Sequence, residues 1–353
     1  MQSLKALKTD GFQTVVDKLC LKTSNFGKLW ILNYDQIDSP KKHPVADECR
    51  GLVVDTDCNL VARSFTRFYN LGEKSEQEMQ FDWSTCFATE KVDGSLLVIY
   101  FYEGQWRVNT RGSFGLQEIC PGVNLTWYDV VSSVVNLNGL NPEYTYVGEL
   151  CSRYNKVVVD YPVPTVFILS AFKGETEVSF DEAVELTEGL GFEVPAVNIF
   201  PSAEGVLDYI KTQAAIYGAN WEGVVLRDKD NRRIKVKNEL YVAIHHIKDN
   251  GNIFNPKRIV PFIVAGEEAE VLAYIPELTE TVAKYKLMIE KARKKLDDFW
   301  FCHHDEANQK RFALAAMKDL GNLSSVAFTA RKLNKNPLDC FGVEEILKLL
   351  FKD

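Results

Sequence analysis

The sequence predicts an α+β fold for residues 1–245 and an all-helical fold for residues 246–353. Two observations carry that division. As far as Lys237, short apolar or alternating runs recur between Gly, Asp and Asn turn residues, the signature of strands with a few interleaved helices. Beyond Asn255-Pro256 the apolar residues recur at three- and four-residue steps instead, the period of a helix face. There is no internal repeat and no low-complexity segment.

In chain order, an amphipathic helix is expected over Ser3–Lys18, then strands at Leu29–Asn33, Gly51–Asp55 and Leu60–Ser64, with Asp57 in a turn. Trp83–Thr89 and Leu96–Tyr102 are β-favouring and flank Lys91-Val92-Asp93-Gly94-Ser95, where Asp-Gly reads as a hairpin turn. Trp106–Thr110 follows across Gly104, then a helix at Leu125–Val135 and strands at Tyr144–Leu150, Lys156–Asp160 and Thr165–Phe172. Ser179 or Asp181 caps a helix running through Glu182–Gly189, and Asp208–Tyr217 is another helix. Gly223–Arg227 and Arg233–Lys237 are strands separated by the Asp228–Asn231 turn cluster. In the helical region, Val282, Tyr285, Ile289, Ala292, Leu296 and Phe299 form one apolar stripe. Phe312, Ala315, Ala316 and Leu320 form a second, ending at Gly321. Ser324 or Ser325 starts a further helix, and Val343–Phe351 is the last, after Pro337.

Composition narrows the class. Hydrophobic residues at 46% and charged residues at 25% are globular values, so a disordered chain is excluded. No apolar run reaches the ~18 residues that span a bilayer, and the N-terminus lacks a signal-peptide core, so a cytoplasmic protein with no membrane partner is expected. Eight scattered cysteines without a C-x-x-C pair suit a reducing compartment. Cys302-His303-His304 has no standard zinc spacing and is read as a packed helix end. A net charge of −8 argues against coating nucleic acid by bulk electrostatics, but not against gripping one end through a local patch. Lys284, Lys286, Lys291, Arg293, Lys294 and Lys295, opposed only by Glu290, form such a patch.

The chemistry is carried by a set of strings in fixed order. They are Glu48-Cys49-Arg50-Gly51, Lys91-Val92-Asp93-Gly94, Glu149 within Tyr146–Leu150, Trp221-Glu222-Gly223-Val224-Val225-Leu226, and Lys235-Val236-Lys237. Together they resemble the collinear motifs of the covalent nucleotidyltransferases, the ligases and RNA capping enzymes. The flanking words Phe68-Tyr69-Asn70-Leu71, Arg111-Gly112-Ser113 and Leu240-Tyr241-Val242 bring the chain nearer the phage RNA ligase 1 family, the ATP-dependent tRNA-repair type. The resemblance covers roughly residues 30–250. It implies a nucleotidyltransferase domain of antiparallel sheets with flanking helices. The helical tail accords with this family rather than with DNA ligases and capping enzymes, which usually continue into a β-rich OB-fold.

By that resemblance, Lys91 is the nucleophile that takes AMP from ATP as a phosphoramidate. The RNA 5′-phosphate then receives the AMP, which leaves when a 3′-hydroxyl attacks. A lysine at its reference pKa of ~10.4 is protonated, so the site must lower that value; Lys235, Lys237 and a hydrated Mg²⁺ (or Mn²⁺) are the candidate cations. Spacing of two puts Lys235 and Lys237 on one strand face, either lining a pocket or on a solvated edge strand. Glu222 and Glu149 are the metal and ribose carboxylates, acting on the metal through water, with the division between them open; structural ion pairs are the alternative. Arg50, Arg67 and Arg111 are phosphate contacts, the last two standing where relatives carry lysine. Leu169 and Val225 either sandwich adenine or belong to ordinary strand core. Gly94 and Gly223 would admit close backbone approach to the nucleotide. The implied substrate is RNA with a 5′-phosphate and a 3′-hydroxyl, such as nicked tRNA, with an end-healing kinase/phosphatase as functional partner and host cytoplasm as the location of a phage-encoded chain. The competing readings are a DNA ligase or GTP-dependent capping enzyme, and a non-catalytic RNA-binding relative.

Overall fold

The computed structural model describes residues 1–73, 80–115, 120, 122–200, 202–248, 253–266 and 268–350. The chain divides into two compact units, Met1–Val242 and Ala243–Asp353. The first unit is built on three sheets. Strands β1 (Leu21–Phe26), β2 (Leu29–Tyr34), β3 (Arg50–Asp55) and β4 (Leu60–Ala62) make an antiparallel sheet in sequence order. One face of it packs Leu32, Leu52 and Val54 under Leu7, Val15 and Val16 of the N-terminal helices. The other packs Ile31, Val53 and Ala62 on Val98, Tyr100 and Phe114. Burial on both faces explains why Leu29–Leu32 and Leu52–Val54 are continuous apolar runs rather than alternating ones.

The remaining strands are β5 (Tyr69–Asn70), β6 (Phe87–Glu90), β7 (Ser95–Tyr102), β8 (Gln105–Thr110), β9 (Thr145–Cys151), β10 (Thr165–Lys173), β11 (Thr176–Glu177), β12 (Phe192–Glu193), β13 (Val197–Ile199), β14 (Gly223–Arg227) and β15 (Arg233–Lys237). A six-stranded sheet runs β11-β10-β9-β7-β8, with β12 parallel to β10; a five-stranded sheet runs β13-β6-β14-β15-β5, with β5 parallel to β15. All other pairs in these sheets are antiparallel. Phe65, Phe68, Leu96, Val147 and Phe172 form the core shared by these two sheets, with Leu169 and Val225 packed against it. The outer face of the five-stranded sheet is covered by Val206 and Ile210 of the helix Ala203–Tyr217.

Several expectations change. Asp93-Gly94 does not close a hairpin: β6 pairs with β13 and β14, whereas β7 pairs with β8 and β9. Residues 91–94 instead carry the chain from one sheet to the other, so the partition of the strands overrides the local turn preference of Asp-Gly. The hairpin of this region lies one strand later, where Glu103 and Gly104 adopt φ 48° and 79° between β7 and β8. Lys156–Asp160 is not a strand. The N–H groups of Val158 and Val159 donate to Asp93 Oδ2, at 2.9 and 2.7 Å, in place of a ladder. Ser3–Lys18 is two helices, Gln2–Asp10 and Phe12–Lys18, broken at Gly11. Ser179, not Asp181, caps the helix Phe180–Glu185.

The regular elements described in the second unit are all helices. Helix Glu239–Lys248 crosses the division, and Pro256–Ala265, Glu268–Tyr274, Thr279–His303, Gln309–Leu320, Ser324–Leu333 and Val343–Leu350 follow. Asn255 caps Pro256–Ala265, with Pro256 at its first position and left-handed Gly266 at its end. Ile289, Ala292, Leu296 and Phe299 pack with Phe312, Ala316, Leu320 and Val326 in one core. Phe351, expected in the last helix, lies outside the described residues.

Candidate active site

The crossover after β6 places Lys91 at a cavity of about 460 Å³, within the size range of small-molecule sites. Contacts at three of its residues hold this crossover. The Lys91 N–H donates to the Gly223 carbonyl (2.9 Å). Asp93, 4% exposed, accepts from Tyr241 Oη (2.7 Å) as well as from Val158 and Val159. Gly94 lies so near the Leu150 carbonyl of β9 that a Cβ would collide with it. Gly223, at φ 137°, abuts the Val236 carbonyl in the same way. Neighbouring strands thus exclude a side chain at both positions, and Gly94 also lines the cavity.

At Lys91 the chain gathers three charges. Glu222, whose side chain is only 3% exposed, accepts from Lys91 Nζ through Oε2 and from Lys237 Nζ through Oε1, each at 2.8 Å. The register of β14 and β15 produces this arrangement: Gly223 stands opposite Lys237 and Val225 opposite Lys235. Alternation then turns Arg233, Lys235 and Lys237 to the cavity, with Ile234 and Val236 in the core behind. β15 lies between β14 and β5, so the solvated-edge alternative does not hold.

The electrostatics differ from the sequence expectation at Lys91. Burial pulls its pKa down, but the Glu222 and Glu149 carboxylates outweigh both burial and Arg50, and the amine is held above its ordinary value. The cations act elsewhere: burial, then Arg50, Lys237 and Lys91, bring Lys235 down to about 8. Glu149 faces the cavity from β9 and is pushed up to about 7, chiefly by burial, with Glu222 and Asp93 adding to it and Lys91 and Arg50 opposing. Arg50 is lowered by burial; it stacks 4.6 Å from the Phe65 ring and 5.2 Å from Phe68, with one buried Nη1 lacking a hydrogen-bond partner. An orphaned guanidinium nitrogen at the cavity suits an anionic ligand.

Among the other predicted residues, Leu169 and Val225 both line the cavity, from different sheets. Arg111 lines it too, 4.4 Å over the Tyr34 ring and donating to the Tyr34 carbonyl (3.1 Å). Arg67 does not. It stacks on the same Tyr34 ring, at 4.2 Å, and on Tyr69, at 5.2 Å, and lines a neighbouring cavity with Asp47 and Arg232. Arg67 thus lies outside the lining of the Lys91 cavity, with its guanidinium over the Tyr34 ring and its buried Nη1 without a hydrogen-bond partner. Tyr34, Phe65, Phe68, Phe180, Arg227 and Arg233 also line the main cavity and were not read as site residues. The two-residue spacing from Lys235 was a usable signal for Arg233. The aromatic residues have no comparable signal, being ordinary core types.

A divalent cation that keeps its water fits this site. Among the described residues no cluster of three or more His, Cys, Asp or Glu side chains could hold one, and Glu222 already serves two amines. Glu149 and Glu222 suit a cation that keeps most of its water and borrows phosphate oxygens, the habit of Mg²⁺ rather than of caged metals. His303 and His304 end a helix and pair with Asp319 and Asp305, at 3.8 and 3.1 Å.

Known proteins share both sequence and fold with this chain. A protein of Autographa californica nuclear polyhedrosis virus assigned as a bifunctional polynucleotide kinase/RNA ligase is 28% identical over 307 residues, 80% of this chain and 42% of its own. One assigned as an RNA ligase in Thermovibrio ammonificans is 25% identical over 213 residues, 58% of this chain and 54% of its own. The chain spans about half the length of the curated relatives it matches. The solved structure of an archaeal ATP-dependent RNA ligase shares the fold, with a TM-score of 0.53 at 19% identity over 80% of this chain and 82% of that one. The model of the RNA ligase family matches residues 48–241, more than half of the chain, which therefore belongs to that family.

Proposed function

We propose that the chain is an ATP-dependent RNA ligase that joins an RNA 3′-hydroxyl to a 5′-phosphate. The observation that carries the reading is the Lys91–Glu222–Lys237 cluster, two amines on one buried carboxylate at a nucleotide-sized cavity. After losing its proton, Lys91 Nζ attacks the α-phosphorus of ATP; the N–P bond forms as the bond to pyrophosphate breaks. The RNA 5′-phosphate oxygen then displaces Lys91 from that phosphorus, and the amine regains a proton. Finally the 3′-hydroxyl attacks the RNA phosphorus and AMP leaves. Lys235, Lys237 and Arg50 neutralise charge that shifts toward the leaving groups, where fixed cations cost no reorganisation. Mg²⁺ or Mn²⁺, held through water by Glu149 and Glu222, would supply further charge neutralisation at the phosphates.

Nicked tRNA is the structured RNA we assign as substrate, acting after an end-healing kinase and phosphatase have set its termini. The viral relative, assigned both kinase and ligase activities, supports that pairing. Eight thiols without a disulfide suit a reducing cytoplasm, and no helix among the described residues is long and apolar enough to cross a membrane.

Incubation with α-³²P ATP or GTP, followed by peptide mapping, tests the reading. Label is expected from ATP, on Lys91, and absent from Lys91→Ala, whose fold should persist because the side chain is not core. AMP on a different lysine sinks the assignment, and labelling from GTP alone favours a capping enzyme.

A further inference from the structure

Strand β10 departs from regular pairing with β9 between Ile168 and Ser170, so Leu169 is a bulged residue. Bulges re-aim a side chain at the cost of ladder bonds. Here Leu169 is directed into the nucleotide cavity, and its carbonyl is taken by a side chain: Arg227 Nη1 donates to Leu169 O at 3.3 Å.

Arg227 ends β14, two residues beyond Val225, and is only 3% exposed. Its other donors are also committed. Nη2 donates to the Val178 carbonyl (3.0 Å), and Nε and Nη2 both donate to Asn231 Oδ1 (2.8 and 2.6 Å). Glu177 lies 3.4 Å away, balancing the charge; it also pairs with Arg233 and accepts from Ser170 Oγ, the residue after the bulge. A planar guanidinium can serve these acceptors at once, which an ammonium cannot. A buried charge of this kind is costly, and a structural role alone does not require it to reach the one irregular residue of the strand.

We propose that Arg227 is a positioning residue for the purine: by clamping the Leu169 bulge it fixes the slot that Leu169 and Val225 offer to adenine. The inference rests on the ligase reading and adds to it a residue that governs base affinity without touching the reacting atoms. Loosening the clamp weakens binding of ground state and transition state alike, which raises KM and leaves kcat in place. The phosphate subsite, on Lys235, Lys237 and Arg50, is untouched.

The test follows Lys91–AMP formation in the full chain. Arg227→Lys is expected to raise KM for ATP about tenfold, worth about 1.4 kcal/mol, with kcat within about twofold. The pyrophosphate concentration that half-saturates reversal of Lys91–AMP should not move, because pyrophosphate does not use the base slot. In a Leu169→Ala background the added effect of Arg227→Lys should vanish, since both changes act on one contact. Unchanged KM in folded Arg227→Lys, a fall in kcat matching that in kcat/KM, or additive effects of the two substitutions overturns the proposal. If Arg227→Lys does not fold, Ser170→Ala decides instead: it removes the Glu177 contact beside the bulge and should raise KM about threefold, and an unchanged KM there overturns the proposal. A wild-type chain that forms no Lys91–AMP refutes the ligase reading; a wild type that does so, with variants that match it, refutes this inference alone.

Discussion

At the candidate site Lys91 is held as an ammonium. Glu222 and Glu149 hold the proton on, so the rate of the proposed Lys91–AMP formation should keep climbing with pH through the alkaline range, up to and beyond where an ordinary lysine is released. Replacing Glu222 by Gln removes the carboxylate that favours the ammonium. The rising limb should then shift to lower pH, while the overall rate drops by about two orders of magnitude through lost electrostatic stabilisation. A rate profile of Glu222→Gln that keeps the wild-type midpoint would show that Glu222 does not set the protonation of Lys91. Glu149 gives an opposite stability signature. Its folded pKa, about 7, lies above the ordinary 4.5, so the folded chain binds more protons than the unfolded one between those values. Stability from this group is therefore lost as pH rises from about 4.5 to 7. Glu149→Gln should melt higher than wild type at pH 8 without nucleotide, with the gap closing by pH 4.5; a constant gap counts against the burial of this carboxyl. Arg67 stacks on Tyr34 and lines the neighbouring cavity. Standing behind Tyr34, it should tolerate Lys with less than about a tenfold loss of adenylylation, since a lysine keeps much of a cation–π contact. A loss as deep as that of Glu222→Gln would place Arg67 at the phosphates.

At the scale of elements, the strands that carry motifs were the most legible. Gly223–Arg227 and Arg233–Lys237 were readable to the residue because a period-two pattern and an Asp-rich turn both point to one hairpin. The collinear charges then became a cluster through register, which no spacing announces: Glu222 meets Lys91 from 131 positions away. Misreadings arose where a distant group replaced a local preference. Asp93 satisfies Val158 and Val159 and so dissolves a plausible strand, and the crossover of residues 91–94 hides behind a turn-forming dipeptide. The Leu169 bulge is likewise silent in sequence, because a leucine in an apolar strand reads as core whether or not it is bulged. The crossover itself is testable. Gly94→Ala places a methyl against the Leu150 carbonyl and Cys151 Sγ, both part of a rigid inner strand. It should cost about 1–3 kcal/mol of stability and lower Lys91–AMP formation further than the stability loss accounts for, because Lys91 moves with residue 94. Wild-type melting and labelling of Gly94→Ala would mean that the loop relaxes freely.

For the molecule as a whole, the chemistry and the basic surface fall in different units. Every residue of the proposed catalytic set precedes Val242, whereas the exposed bases Lys284, Lys291, Arg293, Lys294 and Lys295 lie on the helix Thr279–His303. That helix has committed Val282, Ile289, Ala292, Leu296 and Phe299 to its own core, leaving the bases to water or to a ligand; Lys286 is already paired with Glu268. A chain with net charge −8 gains little from unfocused attraction to RNA, so a local cationic face has more leverage here than it would on a basic protein. If this face selects structured RNA, reversing Lys291, Lys294 and Lys295 to Glu should leave Lys91–AMP formation from ATP intact. Ligation of a nicked tRNA should lose its advantage over a short single-stranded oligonucleotide. The salt dependence of tRNA ligation should also flatten, because each lost phosphate contact removes about one unit of counterion release from the slope. A chain truncated after Lys248, beyond the Tyr241 hydroxyl that anchors Asp93, should behave the same way if it folds. Ligation of both RNAs across a salt series reads all of this at once: an unchanged substrate ratio and slope in the charge-reversed chain would reduce the basic helix to a solvated surface.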